Sequence, residues 1–194
     1  MWIKPATLKG KHVTIRPMEN KDLDELYEAG QHEVIWAYMP MKVTSKSDMK
    51  MLIEQALEGM ETGTAFPWVI QDNRTGKLVG STRFLDPSEA SRNLEIGWTW
   101  LSPDVWRTPV NTECKYILLK HCFESLKTIR VQLKTDGRNT RSQNAIERIG
   151  GVREGTLRKS RVTYTGYVRD TVYFSILESE WPNVKHRLEE QMKR

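Results

Sequence analysis

The residues most able to do chemistry in this sequence lie in three segments near its middle. The first is an apolar stretch with the pattern of a strand, which carries a carboxylate, Glu95, and a glycine, Gly97. The second, residues 106–112, and the third, around Asn139 and Ser142, each open a predicted helix. The start of a helix presents unpaired backbone N–H groups and the positive end of the helix dipole, which suits a phosphate. Together the three segments predict a nucleotide-like cofactor beside a general base.

Glu95 and Gly97 each have a functional and a structural interpretation. Glycine inside a strand marks a bulge or the close approach of a ligand, or it is simply tolerated under an aromatic neighbour. A carboxylate beside such an opening could deprotonate an amine, directly or through water, although a structural ion pair fits the spacing equally well. Strict alternation predicts that Glu95, Gly97 and Thr99 share one face, and that Leu94, Ile96, Trp98 and Trp100 share the other.

The two helix starts carry further candidates. Ser142 is in helical register with Ala145, Ile146 and Ile149, so its hydroxyl points along an apolar stripe and needs a partner such as a ligand atom. Asn139 is placed to contact a ligand or to cap the helix. Arg107 precedes the other helix and could meet a phosphate or remain solvated.

These segments belong to a chain in which strands alternate with helices. Pattern and turn residues predict seven strands, at residues 12–17, 66–71, 77–84, 94–101, 130–135, 152–162 and 167–177. Helices are predicted after Asn20, from about residue 45 to 63, after Thr108 and Asn139, and over residues 179–194. An antiparallel start followed by alternation predicts a mixed α/β sheet in one domain.

Composition describes an ordinary globular chain of 194 residues, with 38% hydrophobic and 28% charged residues. No apolar run approaches the roughly 20 residues of a membrane span, and no signal peptide is visible, so we expect a cytoplasmic protein that does not enter a membrane. Cys114 and Cys122 lie roughly 12 Å apart along a predicted helix, too far to bridge each other, and are expected to be buried thiols. The four histidines show no metal-ligand spacing, and no metal is expected.

Charge is uneven along the chain, whose formal net charge is +5. Residues 1–100 carry 12 basic and 14 acidic side chains, whereas residues 101–194 carry 18 and 11. The basic half, which includes Arg138 and Arg141, could attract an anionic ligand or could be a solvated surface. Its basic residues are dispersed and form no recognised nucleic-acid motif, which argues against a nucleic-acid-binding module.

The order of these segments resembles the GNAT acyltransferases, in particular the branch similar to ribosomal-protein N-terminal acetyltransferases (Rim-type). The resemblance runs from residues 8–17 to the Glu180-Trp181-Pro182 tail. It implies a single GNAT domain over residues 1–194. The implied fold is a mixed, mostly antiparallel seven-stranded sheet flanked by helices and splayed between the fourth and fifth strands.

The same resemblance implies acetyl-CoA as co-substrate, with its phosphates favoured by Arg138 and Arg141. In the family, a Gln/Arg-x-x-Gly-x-Gly/Ala loop binds the pyrophosphate through backbone amides. Here Arg107 matches its first position, and Val110 stands where the first glycine is expected. Family members often place a tyrosine seven residues after the asparagine, and Ile146 at that position excludes a tyrosine acid here. The implied cofactor-binding residues are Trp100, Leu101, Trp106, Arg107, Thr108, Val110, Asn111, Thr112, Asn139 and Ser142.

The implied activity is transfer of an acetyl group to a primary amine by direct attack in a ternary complex. Glu95 is the implied base or water organiser, and Ser142 would assist departure of the thiolate. The acceptor pocket is expected to use Trp36, Tyr38, Met39 and Trp98, which could equally be core. A protein N-terminus, a polyamine, an aminoglycoside and an amino acid remain open as acceptors, as do a non-catalytic acetyl-CoA sensor and a homodimer. Acidic residues of one predicted helix, Glu54, Glu58 and Glu61, would suit a cationic acceptor.

Overall fold

One eight-stranded sheet runs through the protein in our computed structural model, which describes residues 2–193. Its strands are β1 Leu8–Lys9, β2 Val13–Pro17, β3 Ala65–Asp72, β4 Leu78–Ser88, β5 Asn93–Leu101, β6 Arg130–Asp136, β7 Val152–Val162 and β8 Val168–Leu177. Their order in the sheet is β1-β2-β3-β4-β5-β6-β8-β7. All neighbouring strands are antiparallel except β5 and β6, which are parallel.

The predicted mixed, mostly antiparallel sheet is confirmed, with one additional strand. The two-residue β1 pairs with β2 at the edge and is too short to give a periodic signal. The predicted fourth and fifth strands are therefore β5 and β6. They pair only from Asn93 to Glu95 and from Arg130 to Gln132, and beyond these residues they part.

Within residues 2–193, six α-helices flank the sheet: α1 Leu23–Ala29, α2 Glu33–Trp36, α3 Lys46–Glu61, α4 Pro109–Lys120, α5 Thr140–Arg148 and α6 Trp181–Lys193. Helix α3 begins with a capping box in which the Ser45 hydroxyl accepts from the Asp48 N–H, while the Asp48 carboxylate accepts from the Ser45 N–H. Helix α6 matches the predicted tail helix. That prediction ended at Arg194, which lies outside the described residues, as does Met1 of the predicted 1–194 domain.

The two faces of the sheet are covered by different helices. On one face, called here the α4 face, residues of α4, α5 and α6 pack against Leu94, Ile96, Leu133 and Phe174. On the other, the α3 face, residues of α1, α2 and α3 pack against Val69, Leu78 and Trp100. The α4-face core contains residues of both β5 and β6, and the α3-face core contains residues of β5. The two strands are therefore held in place on either side of the gap where they part.

Among residues 2–193, no helix is both long and apolar enough to cross a bilayer. The same residues contain no group of three or more His, Cys, Asp or Glu side chains arranged to hold a metal ion. Cys114 and Cys122 are both free and buried in the α4-face core, as predicted.

Candidate active site

A cleft of about 1280 Å³ opens where β5 and β6 part. Both strands form its walls, and the first turns of α4 and α5 lie at one side. The loop after α2 contributes Tyr38, Met39 and Pro40 to the other side. The cleft therefore joins the three segments that the sequence singled out, although they are up to 47 residues apart between Glu95 and Ser142.

The wall formed by β5 contains a β-bulge at Trp98, whose φ of 50° lies in the left-handed region. Ser81 pairs with Trp100 and Arg83 with Gly97, so two residues of β5 oppose the single residue Thr82. A glycine would adopt this φ at no cost, but here a tryptophan does so. The bulge predicted at Gly97 is thus centred one residue later.

The bulge reverses the alternation of faces along β5, so the predicted grouping is wrong beyond Gly97. Leu94 and Ile96 lie in the α4-face core, whereas Trp98 and Trp100 pack on the α3 face. Thr99 turns the opposite way from Glu95 and accepts a hydrogen bond from a side chain of α4. One extra residue shifts every later side chain to the other face.

Glu95 is almost fully buried, with 2% of its surface exposed, and it lines the cleft. Its Oε2 atom accepts a hydrogen bond from Gln132 Nε2 at 2.9 Å and forms an ion pair with Lys134 Nζ at 2.8 Å. Its Oε1 atom lies over Gly97, where a Cβ atom would come within 2.8 Å of it. One carboxylate oxygen is therefore held by two donors, and the other faces the space that a glycine leaves open.

The loop before α4 forms a helix start with several polar groups. Thr108 is the N-cap, and its hydroxyl accepts from the Val110 N–H at 3.3 Å and donates to the Val105 carbonyl at 2.7 Å. Pro109 follows at the first helical position. Arg107 has a φ of 62°, so the left-handed residue of this loop precedes the helix.

Val110, predicted as part of the binding loop, does not line the cleft. It is 4% exposed and packs in the α4-face core. The reason is its place inside the first turn of α4, where an inward-facing residue packs against the sheet. The other predicted cofactor-binding residues between positions 100 and 112 line the cleft: Trp100, Leu101, Trp106, Arg107, Thr108, Asn111 and Thr112.

The start of α5 lies on the same side of the cleft as the start of α4. Asn139 caps α5 by accepting a hydrogen bond from the Ser142 N–H at 3.0 Å, so the capping interpretation of Asn139 is confirmed. Ser142 is half-buried and lines the cleft, and no hydrogen bond joins its Oγ to another side chain or carbonyl among residues 2–193. Arg141 stacks over the Trp106 ring at 3.9 Å, which links the two helix starts.

Comparison with known proteins agrees with this arrangement. The model of the family described as "Acetyltransferase (GNAT) domain" matches residues 12–152. The chain belongs to the GNAT acetyltransferase family. A Bacillus subtilis (strain 168) protein named "Putative ribosomal N-acetyltransferase YdaF" is 27% identical over 186 residues, which cover 90% of this chain and 96% of that protein.

Solved structures of other acetyltransferases are also similar. A "putative acetyltransferase" from T. thermophilus is 36% identical, covers 98% of this chain and 99% of its own, and superimposes with a TM-score of 0.87. The fold is shared with "Mycobacterium smegmatis RimJ in complex with CoA-disulfide", which is 21% identical over 96% of this chain and 95% of its own, with a TM-score of 0.83. The Rim-type resemblance is therefore confirmed, and the protein is a GNAT N-acetyltransferase.

The expected acceptor side of this GNAT cleft contains three of the four predicted residues. Tyr38, Met39 and Trp98 line it. Trp36 does not, because its ring is fully buried against Trp100 at 5.2 Å and its Nε1 donates to the Gly30 carbonyl at 2.8 Å. A satisfied, enclosed tryptophan belongs to the core.

Lys115 is a residue of the cleft that the sequence analysis missed. It is 7% exposed, and its Nζ donates to Thr99 Oγ1 at 2.6 Å. Thr99 Oγ1 is in turn 2.7 Å from Thr82 Oγ1. Burial lowers the pKa of Lys115 to about 8. Lys115 lies three residues before Leu118 on the inward side of α4, and this spacing was the sequence signal that could have identified it as buried.

Arg138 was expected to favour cofactor phosphates but is engaged within the protein. It bonds Asp136 with its Nε at 3.0 Å and its Nη2 at 2.8 Å, which raises the pKa of the guanidinium. The same group lies 3.5 Å from the Tyr167 ring centroid and 5.5 Å from that of Tyr38. Arg138 therefore joins the loop after α2 to the β7–β8 hairpin on the acceptor side.

Proposed function

We propose that this acetyltransferase transfers the acetyl group of acetyl-CoA to the α-amine of a protein N-terminus, by direct attack in a ternary complex. The main support for this proposal is the cleft between β5 and β6. Glu95 Oε1 faces Gly97 in this cleft, and the first turns of α4 and α5 line the same space. The name of the similar Bacillus subtilis protein, "Putative ribosomal N-acetyltransferase YdaF", supports a protein acceptor.

The donor would be held at the helix starts. The backbone N–H groups at the beginning of α4 suit a pyrophosphate, and the guanidinium groups of Arg107 and Arg141 add positive charge beside them. Beyond Glu95 the edge of β5 that faces the cleft is not paired with β6, so backbone groups near Trp100 and Leu101 remain available to an extended pantetheine arm. Acetyl-CoA supplies the thioester.

The transfer would use the groups on the walls of the cleft. The amine attacks the thioester carbonyl, backbone N–H groups on the free edge of β5 stabilise the developing oxyanion, and the Ser142 hydroxyl assists the departing thiolate. Glu95 Oε1 takes the proton of the amine, directly or through water. A protein α-amine has a pKa of about 7.7–8.0 and needs little help from a base, whereas a lysine amine near 10.4 needs more.

The first test is release of free thiol from acetyl-CoA with a panel of N-terminal peptides, polyamines, aminoglycosides and amino acids. We expect release with peptides, and mass spectrometry should place the acetyl group on the α-amine. Release only with a small amine would replace the proposal by a small-molecule acetyltransferase. Tight binding of acetyl-CoA without release on any acceptor would favour a sensor.

The role of Ser142 can be tested by Ser142→Ala. We expect kcat to fall about tenfold, which is less than the roughly 100-fold minimum typical of acid catalysis, because a thiolate leaves readily. Calorimetry should show binding of acetyl-CoA within about twofold of the wild type. Asn144→Ala, a neighbouring residue on α5 that also lines the cleft, is the matched control. An unchanged kcat in Ser142→Ala would remove this hydroxyl from the mechanism.

Arg141→Ala should weaken binding of acetyl-CoA about tenfold, because one charge-assisted phosphate contact is lost. The dissociation constant is measured by calorimetry without acceptor, at two salt concentrations, since the loss should shrink at high salt. Arg158→Ala, exposed on the outer strand β7, is the control. Equal affinity of Arg141→Ala and wild type would show that the stack on Trp106 is only structural.

A further inference from the structure

Arg169 is a buried guanidinium on the wall of the cleft that no carboxylate neutralises directly. It is 7% exposed, and burial lowers its pKa. Its Nε donates to Thr171 Oγ1 at 3.1 Å, and no ion pair within 4.0 Å joins it to a carboxylate among residues 2–193. Burying a charge is unfavourable unless a partner compensates it, so the space in front of Arg169 suits an anion.

Arg169 lies on the α3 face of the sheet, the same face as Glu95. Val172 and Phe174 of β8 pack in the α4-face core, so Thr171, Tyr173 and, by continued alternation, Arg169 face the other way. The starts of α4 and α5, which suit the donor phosphates, belong to the α4 face. The phosphates of the donor are therefore not the partner of Arg169.

A second arginine reinforces the positive charge at this place. Arg161 pairs directly with Arg169 across β7 and β8, is exposed, and lines the same cleft. Like charges directly opposite each other destabilise a sheet unless something neutralises them. Asp136, the carboxylate that interacts with Arg169 at longer range, already holds Arg138 with two hydrogen bonds.

The two other carboxylates that line the cleft do not cancel this charge. Glu95 is paired with Lys134. Asp86 lies at the opposite end of the cleft, next in the chain to Leu85, which pairs with Glu95. The acidic residues of α3 that had suggested a cationic acceptor, Glu54, Glu58 and Glu61, are exposed and do not line the cleft.

We propose that Arg161 and Arg169 bind acidic side chains of a peptide acceptor, a few residues behind its reactive N-terminus. This inference rests on the proposed function and narrows its substrate class. Glu95 pairs with Gln132 of β6, which in turn pairs with Ser175 of β8. Arg169 lies six residues before Ser175, which is about 20 Å along the strand. An extended peptide advances about 3.3–3.6 Å per residue, and the side chains cover part of the span, so the acidic residues fall at positions three to five.

The test uses two peptides of identical composition and net charge that begin with serine. One has aspartate at positions three to five and asparagine at positions eight to ten, and the other has these blocks exchanged. We expect kcat/KM to be about tenfold higher for the first peptide. The ratio should fall close to one in Arg169→Gln and to an intermediate value in Arg161→Gln. Arg153→Gln, exposed on β7 outside the cleft, should keep the wild-type ratio.

Arg161 is exposed, so its variant tests the inference even if the buried Arg169→Gln fails to fold. Acetylation of both peptides at equal kcat/KM by the wild type would overturn the inference and leave the proposed function intact. If neither peptide is acetylated but a small amine is, the proposed function fails. The inference then fails with it, because no peptide acceptor remains for Arg161 and Arg169 to bind.

Discussion

Glu95→Gln is expected to lower kcat on an N-terminal peptide about 100-fold, the lower end of the range for a positioned base. Glutamine keeps the shape of the side chain and can still accept from Gln132, but it cannot take a proton. The loss should appear at every pH at which the wild type is active. The measurement is initial-rate kinetics from about pH 6 to 9.5, with saturating acetyl-CoA.

A purely structural ion pair would also make Glu95 sensitive to mutation, and Gly97→Ala separates the two roles. The added Cβ would lie 2.8 Å from Glu95 Oε1 and 2.7 Å from the Leu85 Cδ1 atom, while the pair between Oε2 and Lys134 is untouched. We expect kcat to fall about tenfold with little change in thermal stability, since misplacement of a catalytic group is costly. If Gly97→Ala and Glu95→Gln both keep full activity, Glu95 is not the base.

Local signals in the sequence were enough to predict most elements of the fold. Each cap that satisfies a helix start comes from a residue within three positions, as with Ser45, Thr108 and Asn139. Alternation predicted all strands except β1, whose two residues carry no pattern. The parting of β5 and β6 was implied by the family resemblance and not by periodicity.

The bulge shows where local reasoning fails. Glycine pointed to the right strand, but the residue with positive φ is Trp98, because the register with β4 decides where the extra residue sits. Trp36 was misassigned for a related reason, since only the tertiary structure places Trp100 against it. Neither fact can be obtained from spacing along one segment.

The sequence also did not predict which residues the charged groups contact. Gln132 and Lys134 reach Glu95 from another strand, and Arg169 lies near Asp136 only because β8 pairs with β6. Net charge indicated that the second half of the chain is basic, but not that Arg161 and Arg169 line the cleft. The number of charged residues predicts the sign of the charge on a ligand, whereas strand pairing determines where the ligand can bind.

Lys115→Met is expected to make the protein more stable at pH 7, by up to about 3 kcal/mol, and to remove a pH dependence. Burial lowers the pKa of Lys115 from 10.5 to about 8, and each pKa unit corresponds to about 1.4 kcal/mol. Below pH 8 the ammonium is charged in both folded and unfolded chains, so the folded state bears the full cost of burying it. Between pH 8 and 10.5 only the unfolded chain keeps the proton, so this contribution to stability rises with pH.

The measurement is urea unfolding of both proteins from about pH 7 to 10, in which the advantage of Lys115→Met should shrink steadily above pH 8. Methionine fills a similar space, and Thr99 Oγ1 keeps Thr82 as a partner. Cys114 acts in the opposite direction, since burial raises its pKa to about 11, but both proteins contain it. Lys120→Met, exposed on the same helix, controls for loss of charge. A constant difference between wild type and Lys115→Met across this range would mean that Lys115 is not a buried amine with a lowered pKa.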